Sequence, residues 1–308
     1  MPRIVSFLPA ATEITCALGA GDELVGRSHE CDYPAHVRDL PVVSKPALPL
    51  DGLSQKEIDR AVAAHLATGE SLYQVDERLL AELSPDIVFT QDLCQVCAPS
   101  GNELVRALRD LPKPPQVLSL TPRNFAEIEQ NILAIGSATG REQQAQKLVD
   151  ENRARIERVR EAVAGATPRR VAFMEWTEPP FSAGHWVPEM IIAAGGEDPL
   201  GQLGADSRRV TWDDIAVSDP ELVIVAPCGY GLADAVSTAR RLSTIAASTV
   251  YAVDANSYFA RPGPRVAEGV ELLAHLFHPE LFAWPHSHQP WAMTHGTAAA
   301  DRYSAQPQ

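Results

Sequence analysis

The chain has 308 residues, of which 45% are apolar and 21% charged, and a net charge of −14. This is the composition of a globular protein with room for one large or two medium domains. The acidic balance, without any Lys/Arg cluster, excludes nucleic acid as the default partner. The absence of an apolar run near the ~20 residues that span a bilayer excludes membrane insertion.

Strand-like and helix-like runs alternate from the start, the pattern of an α/β protein with parallel strands. Ile4 to Leu8 reads as a strand and Ala11 to Leu18 as a helix capped by Thr12 and ended by Gly19 and Gly21. Short strands follow at Leu24 to Arg27 and Val42 to Ser44. Next come a helix at Asp76 to Leu83, a strand at Asp86 to Thr90, a helix at Asn102 to Leu111 and a strand at Gln116 to Leu120. Residues 1–122 are thus expected to form an α/β lobe.

Between 123 and 166 the strand signal vanishes. Ile128, Ile132, Ile135, Leu148, Ile156, Val159 and Val163 recur at helical spacing, with Gly136 and Gly140 dividing a shorter helix from a long one. A helix from Arg141 to Ala164 would be roughly 35 Å long, enough to join two lobes. The alternation then resumes over 167–283, with strands at Val171 to Glu175, Leu222 to Ala226 and Val250 to Val253. The helices between and after them are Pro188 to Ala194, Leu232 to Leu242 and Arg265 to Leu276. Residues 284–308, rich in polar and small residues and Pro, read as a mobile tail; His286, His288 and His295 within it offer only adventitious metal binding.

In open α/β lobes, ligands collect at loops beyond the carboxyl ends of strands. The chemistry-bearing residues concentrate there. The first lobe places Pro9, then His29, Cys31 and Tyr33, then Gln91, Asp92, Cys94 and Cys97 after its strands. The second places Glu175, Trp176, His185 and Trp186, then Cys228, then Tyr258 and Arg261, with Arg265 close by. Each has a plain alternative. Cys16 sits inside a helix and reads as a small core hydrophobe, and Pro264 starts a helix. The loop cysteines divide evenly between core and site. Trp176 and Trp186, flanking a Pro-rich turn, read as a cleft wall, and Arg261 and Arg265 suit anionic or amide groups of a ligand. The CxxC pair Cys94 and Cys97 admits redox, metal-binding and pocket-lining readings. The chain has no phosphate loop, nucleophile elbow or HExxH motif, and no compact thioredoxin-like context, so no enzyme is expected.

Five cysteines scattered at 16, 31, 94, 97 and 228 make no disulfide framework. The opening MPRIVSFLPAATEITCALGAG lacks the basic region and long apolar core of an export signal. The expected setting is the cytoplasm, or the periplasm if a leader has been removed.

The ordered series IVSFLPAATEITCALGAGDELVGRS, VDERLLAELSPDIVFT, NILAIGSATGREQQAQKLVDENRARI, VTWDDIAVSDPELVIVAP and DANSYFARPGPRVAEGVELLAHLF runs through nearly the whole chain. It resembles the periplasmic-binding-protein-like family that binds cobalamin and iron-siderophore complexes. The resemblance implies two lobes joined by one rigid helix, and a non-catalytic cleft for cobalamin or a related corrinoid. It further implies service as the substrate-binding protein of an ABC transporter, or as a cytoplasmic corrinoid carrier. The aromatic loops suit a large, amide-fringed disc. Such proteins are usually monomers, and exported members dock to their permease through an acidic residue on each lobe; Glu77 and Asp213 lie near those positions. The alternative is a metal ion or iron chelate held by Cys94, Cys97 and His185, with Cys31, His29 or Cys228 as further ligands.

Overall fold

A computed structural model describes residues 1–91, 102–109, 111–242 and 249–296. The first sheet is built from β1 (Ile4–Ser6), β2 (Leu24–Ser28), β3 (Val42–Pro46), β4 (Tyr73–Val75), β5 (Ile87–Thr90) and β6 (Gln116–Ser119). Its spatial order is β4-β3-β2-β1-β5-β6. All its pairings are parallel except β3 with β4, which forms an antiparallel edge. Between the strands run α1 (Pro9–Ala17), α2 (Gln55–Leu66), α3 (Glu77–Leu83) and α4 (Asn102–Arg109). Helix α1 starts with Pro9 at its first position, where a missing N–H loses nothing. Thr12 does not cap it: Thr12 lies inside the helix, its hydroxyl donating to the Leu8 carbonyl at 3.2 Å.

Two helices then follow, α5 (Phe125–Thr139) and α6 (Glu142–Val163). Helix α5 runs through Gly136 and stops only at Gly140. The 22 residues of α6 give it a length of roughly 33 Å.

The second sheet contains β7 (Arg169–Thr177), β8 (Pro180–Ser182), β9 (Gly196–Glu197), β10 (Leu222–Val225), β11 (Thr249–Val253) and β12 (Trp291–Gly296). Its order is β12-β11-β10-β7-β8, with β9 also paired to β7. The centre is parallel and the edges β8 and β12 are antiparallel. Its helices are α7 (Val187–Ala193), α8 (Trp212–Val217), α9 (Leu232–Ala239), α10 (Ala255–Tyr258) and α11 (Val266–Phe277). The start of the expected mobile tail behaves differently from the reading: Trp291 pairs with Val253 and His295 with Val250 as an edge strand. Apolar side chains explain this, since Trp291 packs onto the main core cluster and is edge-on to Trp284 at 5.6 Å. Residues 297–308 lie outside the described residues.

One apolar cluster runs unbroken from Ile4 and Ile14 through Ile132, Val149 and Val159 to Met190, Leu273 and Phe277. Helices α5 and α6 are therefore core as well as connector. On α6, Arg155 donates to Glu271 and Glu268 of α11, which ties the linker to the second sheet's helical layer.

Candidate functional site

The carboxyl ends of the strands of both sheets turn toward each other, and polar side chains meet between them. Arg261, in the loop after α10, is only 5% exposed. It donates to Glu13 at 3.0 Å, Asp32 at 2.6 Å, the Glu30 carbonyl at 3.2 Å and Asn256 at 3.0 Å. Arg265 forms a two-pronged pair with the same Glu13 carboxylate, at 2.9 and 2.6 Å. Its guanidinium lies 4.2 Å from the Tyr33 ring centroid and 5.9 Å from that of Tyr258, within cation–π range. Burial opposes a charged Arg261, yet the carboxylates of Asp32 and Glu13 raise its pKa above the ordinary value. Here the structure differs from the sequence expectation. Arg261 and Arg265 are held by protein carboxylates rather than left for a ligand.

A second seam lies at the other side of the strand ends. The Gln55 side chain is 1% exposed, and its Oε1 accepts from the Thr177 N–H at 2.9 Å and hydroxyl at 2.6 Å. One turn on, Asp59 accepts from Arg209 at 3.0 and 3.1 Å. Trp176 and Tyr230 stand beside Gln55, edge to face with centroids 5.6 Å apart.

The remaining expected site residues separate by burial. Tyr33 is 49% exposed, Cys228 is exposed, and Pro9, His29, Gln91 and Trp176 are partly exposed at the strand ends. Trp186 does not line a cleft. It is 7% exposed, part of the main core, and its indole N–H donates to the Phe259 carbonyl at 3.1 Å. Cys31 is fully buried between Thr12 and Ser28, and burial raises its thiol pKa. Tyr258 is also buried, its hydroxyl 2.7 Å from His288, with a pKa pushed by burial up to about 12. His185 sits at φ +54° with Nε2 3.3 Å from Asp206. Burial lowers the pKa of both His185 and His29, favouring neutral rings. Glu175 accepts from the Gly184 N–H at 2.8 Å and from the Ser207 hydroxyl, and burial of its carboxyl raises the pKa to about 7.

Asp92, Cys94 and Cys97 lie outside the described residues. Among those described, no group of three His, Cys, Asp or Glu side chains could hold a metal ion. Glu77 accepts from Arg106 at 3.2 Å. Asp213 stands in the exposed first turn of α8, while Asp214 caps that helix with Thr211. No helix of the described residues is long and apolar enough to cross a membrane. Glu13 and Gln55 lie outside the loops that the sequence marks, whereas Asp32, Thr177 and Tyr230 fall within them without being singled out; the fold brings all of them to the strand ends.

A model of the periplasmic binding protein family matches residues 4–253. The chain belongs to that family. It is a family of binding proteins, not of catalysts. The vitamin B12-binding protein of Vibrio cholerae serotype O1 is 25% identical over 279 residues, covering 87% of this chain and 86% of that protein. The ABC transporter substrate-binding lipoprotein YvrC of Bacillus subtilis is 23% identical over 295 residues, covering 91% of this chain and 81% of its own. Among solved structures, a periplasmic heme binding protein from Pseudomonas aeruginosa superposes with TM-score 0.73 at 18% identity, over 97% of this chain and all 100% of that one. The periplasmic vitamin B12 binding protein BtuF of Vibrio cholerae gives TM-score 0.63 at 22% identity, over 89% and 95%. At these identities the superpositions establish the fold alone.

Proposed function

We propose that this binding protein holds cobalamin or a related corrinoid between its two sets of strand-end loops, as the substrate-binding component of an ABC transporter. One observation carries the choice of ligand. The buried cations of the cleft, Arg261 and Arg265, are neutralised by Glu13 and Asp32, and the loop 91–101 contains no Lys or Arg. His29 and His185 favour the neutral ring. At the Arg261 seam both described guanidiniums are already paired, which disfavours seating there a ligand fringed by carboxylates, whose desolvation needs a paired cation. An amide-fringed corrin needs only hydrogen bonds and aromatic faces, and Tyr33, Trp176 and Tyr230 supply such faces.

The sequence likeness to a vitamin B12-binding protein supports the same reading. The lipoprotein relative supports a setting outside the cytoplasm. Glu77 and Asp213 are the docking acids this function would use. Glu77 would have to exchange its Arg106 partner for one on the permease.

Parallel absorbance titrations of the purified protein with cyanocobalamin and with hemin test the ligand. Corrinoid binding tighter than hemin binding is expected. Hemin binding with no response to cyanocobalamin would overturn the reading.

A further inference from the structure

The excursion that carries α2 is built unlike the rest of its lobe. Its base is clamped by the antiparallel edge, with Lys45 opposite Gln74 and Pro46 opposite Tyr73, and closed by the Ala47 N–H donating to the Leu72 carbonyl at 2.8 Å. Beyond that base the segment has little anchorage. Of the 12 residues of α2 only Gln55 is buried, and it is buried against the second lobe. The helix holds itself together locally through a capping box between Ser54 and Glu57 and a contact from His65 to the Ser71 carbonyl at 2.8 Å. Gly52 and Gly69 flank it at φ +78° and +76°, each with open space where a Cβ would stand. Both turns therefore have room to re-orient, and the left-handed conformation they adopt is one that glycine reaches without steric cost.

We infer that α2 is a hinged lid over the Trp176–Tyr230 face of the cleft, swinging about Gly52 and Gly69 and latched by Gln55 to Thr177 and by Asp59 to Arg209. The latch is weak by construction. The Asp59–Arg209 pair is partly solvated, and such pairs add little stability. Gln55 holds Thr177 by two hydrogen bonds to a single acceptor atom, and neutral bonds of that kind contribute little net stability, so the latch opens at modest cost. A rigid helix pinned at one end by two small contacts, on a clamped base, opens as a unit. Only the identity of the admitted ligand rests on the corrinoid reading.

Hydrogen exchange of the ligand-free protein tests the lid without any ligand. In an Arg209→Ala variant, the Thr177 amide, which donates to Gln55 across the latch, should exchange about tenfold faster or more, while the amides inside α2 and that of Gln74 at the base stay protected. Unchanged protection of the Thr177 amide, or equal loss at the base, overturns the proposal. The charge swap Asp59→Arg/Arg209→Asp should restore the protection that Asp59→Arg alone removes; no recovery counts against the latch. In stopped flow, cyanocobalamin should associate at least about threefold faster with a Gln55→Ala/Arg209→Ala variant, since the closed state limits access. An unaltered rate overturns the lid. If cyanocobalamin binds neither protein, the corrinoid reading fails, and the exchange result still decides for or against the lid.

Discussion

The two lobes meet along two seams made of the same kinds of residue in opposite surroundings. At the Arg261 seam, Glu13 is 2% exposed and Arg261 5%, and the donors of Arg261 are met by Glu13, Asp32, the Glu30 carbonyl and Asn256. At the α2 seam, Arg209 is 59% exposed, has Asp59 as its carboxylate partner and lies 5.6 Å from the Phe181 ring centroid. A buried, fully satisfied charge network has no cheap way to come apart, because separating it strands charges in low dielectric. A solvated pair loses almost nothing on opening. The first seam therefore fixes how the lobes sit, and the second is free to open while they stay in place.

The largest effect should come from breaking the first seam. Glu13→Ala leaves Arg261 and Arg265 without their shared carboxylate, and the loss of a partner from a buried charge cluster typically amounts to about 3–5 kcal/mol. Urea denaturation measures it. A loss as small as that of Asp59→Ala would erase the distinction between the seams. Trp186→Phe is the next step down. The Phe259 carbonyl loses its indole donor two residues before Arg261, and a destabilisation of about 1–3 kcal/mol is expected. An intact Arg261 seam in that variant would still leave the Glu13→Ala loss in full, which a double-mutant cycle reads.

Glu175 offers a pH handle on the second seam, because it holds Ser207, two residues from Arg209. Its folded pKa of about 7 lies above the ordinary carboxylate value of 4.5. The folded state thus binds a proton that the unfolded chain releases. The contribution to stability is complete below about pH 4.5 and is lost as the pH rises through about 7. Asp198, raised by burial to about 6, acts in the same direction. The stability difference between wild type and Glu175→Gln should therefore fall as the pH rises between those limits. A difference independent of pH across that window would remove Glu175 from the account.

Much of the fold was legible because hydrophobic period and strand alternation are local. The linker helix was expected over Arg141 to Ala164 and forms over Glu142–Val163. Helix α2 carried a readable sign, Ser54 three residues before Glu57, the capping-box spacing. Its apolar stripe is thin, and it was passed over. The strand β12 was unreadable for another reason: its pairing to β11 is decided by tertiary contact among Trp291, Trp284 and His275, and its polar surroundings suggested a tail. At the strand ends, residue type named candidates but could not tell an exposed aromatic from a buried one. Tyr33 and Trp186 looked alike in sequence and separate in burial. Glu13, inside an ordinary helix, had no signal at all until Arg261 and Arg265, some 250 residues later, came to rest on it.

The smallest effect in stability belongs to Asp59→Ala. Asp59 is 26% exposed and its partner is more so, which limits the loss on global unfolding to below about 1 kcal/mol. The same substitution removes one of the two latches on a helix with a single buried residue. Local opening reports on the contacts of α2 alone, whereas global unfolding averages over the whole core. Urea midpoints should therefore barely move in Asp59→Ala while protection of the Thr177 amide, which the latch covers, falls. Glu13→Ala should do the reverse, lowering the midpoint strongly with no preference for the Thr177 amide. If the two variants changed global stability and Thr177 amide protection in the same proportion, the seams would be one cooperative interface and neither could open without the other.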